Sequence, residues 1–186
     1  MTMKHSHLDT YENLLKQSLL IPELVTKAAH KDINFLENLN QWLLNTEEIM
    51  RKYNISKCSE IAGLRSKIIA ASYVVTEAKV SKRKRLFSVA TTIIYDAQST
   101  VLSTLEPMGN RIEEARDYMR QLLGVAYQAD MVNPNMDFNE MVQALWAMFS
   151  THEQLKGAVA SVLVLVNRSD ALRILAEEVD MTILKN

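Results

Sequence analysis

The spacing of apolar residues in residues 59–105 limits most strongly what this chain can fold into. Apolar side chains recur every three or four residues on both sides of a basic segment, which we define as residues 79–85. Such spacing places them on one face of a helix. They are Ile61, Leu64, Ile68, Ala71, Val75 and Ala78 before the segment, and Leu86, Ala90, Ile93, Ala97, Val101 and Leu105 after it.

This pattern predicts two helices that meet at the basic segment. We place the break near Val80 to Lys82, with Ser81 as the cap of the second helix, because serine is a favoured N-cap residue. The alternative is one helix through residues 60–105, since Lys and Arg are good helix formers. That helix would be about 70 Å long.

The same period continues through the rest of the chain and predicts an all-α protein, an antiparallel helical bundle of seven or eight helices. Only four Gly and three Pro occur in 186 residues, which favours helices with short connections. We expect an N-terminal helical segment at 1–31, a main helical bundle at 32–130 and a C-terminal helical unit at 137–186 packed on it. The valine-rich residues 158–166 could form a strand, but their helical flanks favour a buried helix.

Local signals predict where several helices end or begin. Pro107-Met108-Gly109 is expected to end the second helix of the pair. Ser150 and Glu153 have the spacing of a capping box and are expected to open a helix. The loop at residues 131–136, which contains Asn-Pro-Asn, is expected to separate the main bundle from the C-terminal unit.

Sites for metal, cofactor or covalent catalysis are not indicated. Cys58 is the single cysteine, which excludes an internal disulfide and a cysteine-based zinc site within one chain. No His has a Glu three residues before it, and there is no glycine-rich phosphate loop and no nucleophile elbow. We expect no metal, no cofactor and no catalytic residue. The alternative is an enzyme whose site consists of scattered Glu, Asp and Tyr.

Charge is distributed unevenly along the chain. The net charge is −3 over residues 1–50, +7 over 51–105 and −5 over 106–186. A basic middle between acidic flanks can indicate an anionic partner, or the acidic helices can pack beside the basic ones and neutralise them. No apolar run approaches the length of a membrane span and no signal peptide is evident, so we expect a cytoplasmic protein without membrane contact.

The basic segment holds five cations in seven residues, a density that attracts phosphates without reading bases. We predict a non-catalytic binding or accessory protein that contacts nucleic acid here. Its candidate residues are Lys79, Lys82, Arg83, Lys84 and Arg85, with Arg65 and Lys67 upstream. A solvated helix end, or a docking site for an acidic protein partner, would show the same pattern. Phe87 is expected to pack inward rather than to stack on a base.

A protein adaptor or oligomeric scaffold without nucleic acid is the alternative function. It would dock through the methionine-rich C-terminal helices, because methionine is common on adaptable binding surfaces. This interpretation expects Met141, Trp146, Met148 and Phe149 to be partly exposed. Either function is compatible with a homo-oligomer, which we expect.

Residues 42–105 carry a recognisable order of features. Trp42 lies in one helix, Leu64-Arg65 begins the next, Ser72 and Glu77-Ala78 lie along it, and Ser81-Lys82-Arg83-Lys84-Arg85 follows. In this order the chain resembles the four-helix-bundle proteins encoded by intervening sequences in bacterial ribosomal RNA genes. It is also similar to the accessory proteins of diversity-generating reverse transcriptases. The resemblance implies a small helical bundle, and the similarity to the accessory proteins implies assembly as a ring with a basic surface for nucleic acid.

Overall fold

The computed structural model describes residues 6–73, 81–131 and 136–179, and these residues are helical with no strand among them. The all-α prediction is confirmed, and the described part contains eight α-helices. They are α1 (His7–Leu19), α2 (Ile21–Ala29), α3 (Phe35–Lys52), α4 (Cys58–Tyr73), α5 (Lys82–Gln128), α6 (Phe138–Thr151), α7 (Lys156–Leu165) and α8 (Arg168–Glu178). Among them, no helix is both long enough and apolar enough to cross a membrane.

The chain divides into two compact units. The N-terminal unit is Asp9–Pro107, and the C-terminal unit is Met1–Leu8 together with Met108–Asn186. This division falls inside α5, and so inside the segment 32–130 that was expected to form the main bundle. The loop expected at residues 131–136 has Met131 and Met136 outside helices, whereas residues 132–135 lie outside the described part of the chain.

In the N-terminal unit, α3 packs against α2 and α4. Its core-facing stripe is fully buried, and the apolar residues of this stripe are spaced four or seven positions apart along α3, which places them on one face of the helix. These residues are Phe35, Leu39, Leu43 and Met50. Trp42 lies beside the stripe, and its indole Nε1 donates a hydrogen bond of 2.9 Å to the Gln17 carbonyl of α1. The buried indole is therefore satisfied as well as packed.

In the C-terminal unit, α6 packs against α7 and α8. The valine-rich residues 158–166 are helical up to Leu165, as expected, but this helix is not buried throughout, because Val164 is 86% exposed. Asp170 in the first turn of α8 is buried, and its carboxylate accepts hydrogen bonds from Ser6 Oγ at 2.6 Å and the His7 amide at 2.7 Å. These bonds join the start of α1 to α8 and satisfy a carboxylate that would otherwise be costly to bury.

The expected helix end at Pro107 is wrong, because α5 continues through this proline to Gln128. Proline removes one backbone hydrogen bond and costs about 3 kcal/mol inside a helix. The apolar spacing nevertheless runs unbroken across it, since Leu105 and Ile112 are buried and Met108 between them is partly buried. Pro107 itself is exposed, so the ring lies on the outer face of the helix.

The expected helix start at Ser150 is also wrong, because α6 continues to Thr151 and α7 begins at Lys156. The Ser150 hydroxyl donates to the Trp146 carbonyl one turn earlier, at 2.7 Å, rather than capping a new helix. Phe149 is fully buried and holds this last turn of α6 in the core. Asp137 caps the start of α6, since its side chain accepts from the Asn139 amide.

Arginines of α5 in the C-terminal unit are paired with acids of α8. Arg116 Nη1 and Arg120 Nε both bond the Glu178 carboxylate at 2.8 Å, and Arg116 also pairs with Glu177. Partial burial by itself would raise the pKa of Glu178, but the hydrogen bonds from Arg120 and Arg116 outweigh burial and lower it. These charges therefore stabilise one another within the unit.

Replacing Pro107 by Ala is expected to raise the free energy of unfolding by about 1 to 3 kcal/mol, because it restores the amide donor that the helix lacks. Urea denaturation of the two proteins measures the difference. Ala is the matched replacement, since the position is exposed and loses no packing. An unchanged or lower stability would contradict the view that packing holds α5 together despite this proline.

Glu178→Gln is expected to lower the free energy of unfolding by about 1 to 2 kcal/mol at pH 7. A carboxyl with a lowered pKa stabilises the fold above its ordinary value of 4.5. This contribution disappears as the pH falls through the lowered pKa. Urea denaturation should therefore show a smaller difference at pH 3 than at pH 7. Glu114→Gln, at an exposed carboxylate of α5, is the control, and an equal loss there would refute the assignment.

Candidate functional site

The described part of the basic segment forms the first turn of α5. Ser81 precedes this helix and caps it, because its hydroxyl accepts a 3.3 Å hydrogen bond from the Lys84 amide. The Ser81 carbonyl also accepts from the Arg85 amide at 3.2 Å. Ser81 therefore caps α5 as predicted, and α4 and α5 are not one unbroken helix. Lys79 and Val80 lie outside the described residues.

Three cations of the basic segment face solvent. Lys82, Arg83 and Lys84 are exposed, and none of them forms an ion pair with a carboxylate in the described part of the chain. Arg85 is half-buried instead, and its Nη2 donates to the Ala71 carbonyl of α4 at 3.4 Å. Arg85 thus joins the end of α4 to the start of α5, while the three preceding side chains are available to a partner.

The two upstream candidates lie in different surroundings. Lys67 is exposed on α4. Arg65 is partly buried, and its Nε donates to Glu47 Oε2 at 2.9 Å. The Glu47 side chain is only 3% exposed and also pairs with Arg51. The charge of Arg65 therefore neutralises a buried carboxylate between α3 and α4, and we leave it out of the candidate surface.

The first turn of α5 has an unusual charge for a helix N-terminus. The N-terminal end of a helix carries a partial positive charge that favours acids and disfavours cations. Six of the eight described helices have an acid in the first turn. In α5 that turn contains no acid and begins with Lys82, Arg83 and Lys84. The partial positive charge of the helix N-terminus and the charges of these side chains are therefore concentrated at one exposed surface.

A groove of about 430 Å³ opens beside this turn and includes a cation that the sequence analysis missed. Its described lining residues are Lys31, Ser81, Arg83, Lys84, Phe87 and Ser88, and none of them is acidic. Lys31 comes from the turn between α2 and α3. The Phe35 and Phe87 rings pack with centroids 4.9 Å apart, which brings the start of α3 against α5. The Phe87 ring therefore packs on Phe35, as expected, while its exposed part lines the groove.

Other kinds of site find little support among the described residues. Within residues 6–73, 81–131 and 136–179, no group of three or more His, Cys, Asp or Glu side chains could hold a metal ion. Cys58 lies at the start of α4, half-buried, with its Sγ 3.5 Å from the Glu47 carbonyl to which it donates. The thiol thus takes part in the packing of α4 against α3.

The methionine-rich surface expected on α6 is not present. Met141, Trp146 and Phe149 are buried at 1%, 5% and 0% exposure, and Met148 is partly buried. The reason is that they form the face of α6 that packs in the C-terminal unit. Exposed aliphatic side chains of this unit lie on α7 instead, where Val164 is 86% and Leu163 41% exposed.

Comparison of the chain with protein-family models, with curated proteins and with solved structures gives no match. The resemblance of residues 42–105 to the two families of helical bundles stays a prediction.

Arg65→Met is expected to lower the free energy of unfolding by about 2 kcal/mol, because it leaves the buried Glu47 carboxylate with only part of its hydrogen bonding. Arg51→Met is the matched control. Arg51 bonds the same carboxylate but is 65% exposed, so its loss should cost less than about 1 kcal/mol. Urea denaturation of both variants checks the order. If the two variants lost the same free energy of unfolding, burial would not determine the strength of the ion pairs that Arg65 and Arg51 form with Glu47.

Proposed function

We propose that this chain is a non-catalytic accessory or binding protein that contacts nucleic-acid phosphates through the first turn of α5. Lys82, Arg83 and Lys84 make the contact, with Lys31 from the neighbouring turn and Lys79 as the predicted extension. The observation that carries the proposal is the set of exposed cations on a helix end that is itself positive and has no acid in its first turn. A phosphate bound there would relieve the repulsion among these charges.

Phosphate is the anion that this surface suits best. Lysine and arginine that neutralise phosphates release condensed counterions, which supplies affinity without any reading of base sequence. Arginine adds a planar fork of donors that matches a phosphate group. The groove beside the turn offers the Ser81 and Ser88 hydroxyls as further donors, and no described carboxylate lines it to repel the ligand.

Arg85 and Arg65 have supporting roles in this proposal. Arg85 bonds the Ala71 carbonyl and holds the end of α4 against the turn that presents the other cations. Arg65 remains paired with Glu47 and stabilises the packing of α4 on α3. Only the exposed side chains then count toward the number of phosphates neutralised.

A protein adaptor or scaffold is the second candidate, and the exposed Leu163 and Val164 side chains of α7 favour it. Adjacent exposed aliphatic residues on one helix are a common feature of protein contacts. In this case the surface on α7 would bind a protein, while the cations of α5 would remain solvated or meet acidic side chains.

The finer architecture belongs to the same proposal. We expect the helices to form an antiparallel bundle, because short described connections join α2 to α3 and α3 to α4, and α3 packs on both neighbours. We further expect a homo-oligomer in the cytoplasm. Such an assembly would present several copies of the basic segment and so multiply weak phosphate contacts. The resemblance of residues 42–105 to ring-forming bundles supports this expectation.

Binding to a nucleic acid should weaken steeply with salt. The logarithm of the affinity falls against the logarithm of the salt concentration by about 0.9 for each duplex phosphate neutralised and about 0.7 for each single-strand phosphate. Replacing Lys82, Arg83 and Lys84 together by Gln should therefore reduce the slope by about 2 to 3 and weaken binding to any sequence alike. Fluorescence anisotropy over a salt titration measures both effects.

The control is a variant with Lys16, Arg111 and Arg168 replaced by Gln. It removes the same number of exposed charges, from α1, α5 and α8, and none from the basic segment. Its slope should stay close to that of the parent protein. No binding at low salt, or an equal loss in both variants, would refute the proposal and favour the adaptor.

A further inference from the structure

The groove beside α5 combines side chains that a surface for phosphate alone does not need. Lys31, Arg83 and Lys84 supply positive charge, Ser81 and Ser88 supply hydroxyls, and Phe87 supplies an aromatic ring. A phosphate uses the cations and hydroxyls but gains nothing from the ring. A ligand that carries an anionic group and a flat ring next to it would use all three.

The Phe87 ring is held in place rather than free to move away from a ligand. It packs on the Phe35 ring with an angle of 48° between the planes, and it is only half-buried. Phe35 is fully buried in the core of the N-terminal unit. A fixed, partly exposed aromatic ring beside cations is the arrangement on which nucleic-acid bases stack in proteins that bind single strands.

Lys31 reaches this groove from a backbone conformation that favours glycine. Its φ angle is 53°, in the left-handed region that ends many helices. A lysine in this conformation costs about 1 kcal/mol relative to glycine. The turn does not require lysine at this position, so the Lys31 side chain can be removed without destabilising the fold. A substitution of Lys31 therefore tests the role of its side chain in the groove.

We propose that this groove binds one unpaired nucleotide, with its phosphate on Lys31, Arg83 and Lys84 and its base against Phe87. The proposal rests on the phosphate contact proposed above and adds a ligand class to it. The volume of about 430 Å³ lies in the range of about 300 to 1,000 Å³ that is usual for small-ligand sites. The nucleotide belongs to a single strand or is a free mononucleotide. A base stacked inside a duplex cannot enter.

The test compares a labelled single-stranded oligonucleotide with a duplex of the same sequence by fluorescence anisotropy at low salt. The single strand should bind at least about fivefold more tightly, the lower limit for stacking of one base. Phe87→Leu should remove this difference by weakening single-strand binding, while duplex binding stays unchanged. Adenosine monophosphate, with adenosine and inorganic phosphate as controls, is then added as a competitor to distinguish a free nucleotide from one within a strand.

The variant Lys31→Gly tests the groove without destabilising the fold. It should weaken single-strand binding severalfold while the midpoint of thermal unfolding stays the same or rises, because glycine suits the backbone there. Lys16→Gln, on the exposed face of α1, should change neither. If adenosine monophosphate displaces the oligonucleotide, the groove also accepts the free nucleotide. If only the strand binds, the nucleotide must be part of a chain.

The outcomes separate this inference from the proposed function. Equal binding of strand and duplex, with no effect of Phe87→Leu on either, would overturn the nucleotide site and leave the phosphate contact standing. A loss of both strand and duplex binding in Phe87→Leu would also overturn it, since the ring would then support the surface rather than meet a base. No binding of either form at low salt would refute both proposals.

Discussion

Burial of one apolar stripe along α5 is the interaction on which both units depend. The stripe supplies core residues on each side of Pro107, and each buried aliphatic side chain contributes about 1.5 to 3 kcal/mol. Its fully or nearly fully buried members are Ala90, Ile93, Ala97, Val101, Ile112, Ala115, Met119 and Leu122. The free energy gained by burying this stripe exceeds the cost of the one hydrogen bond lost at Pro107, so the helix continues through the proline.

Two kinds of arginine environment follow from where that helix lies. In the C-terminal unit, Arg116 and Arg120 form ion pairs with Glu178 of α8, so their charges are neutralised within the unit. In the N-terminal unit, Arg65 is held by the buried Glu47 in the same way. At the first turn of α5, by contrast, three consecutive cations are exposed and none of them pairs with a described carboxylate, so their charge is available to a partner.

Local features of the fold could be predicted from the sequence, whereas features that depend on partners distant in the chain could not. The helices and the Ser81 cap follow from residues within one or two turns of each other. The proline rule is also local, and it fails at Pro107 because packing on both sides outweighs it. The exposure of Met141 was misjudged because a sequence does not show which face of a helix meets its neighbours.

The candidate site divides in the same way. The exposed Lys82 and Lys84 follow from the density of charge, because consecutive cations cannot all be buried. The hydrogen bond of Arg85 and the ion pair of Arg65 could not be predicted from the sequence, because they depend on where Ala71 and Glu47 lie in the fold. Lys31 is about fifty residues before α5 in the chain, and its only sequence signal is a lysine just after a helix C-terminus. No spacing rule connects it to the groove.

The bonds from Ser6 and His7 to Asp170 have a consequence for the order in which the chain folds during synthesis. The N-terminal unit is contiguous, so a ribosome has produced all of it once Pro107 has emerged. The other unit joins residues 1–8 to residues beyond 107, and the buried Asp170 is synthesised 164 residues after Ser6. Ser6 and His7 must therefore wait until α8 has been made before they find their partner.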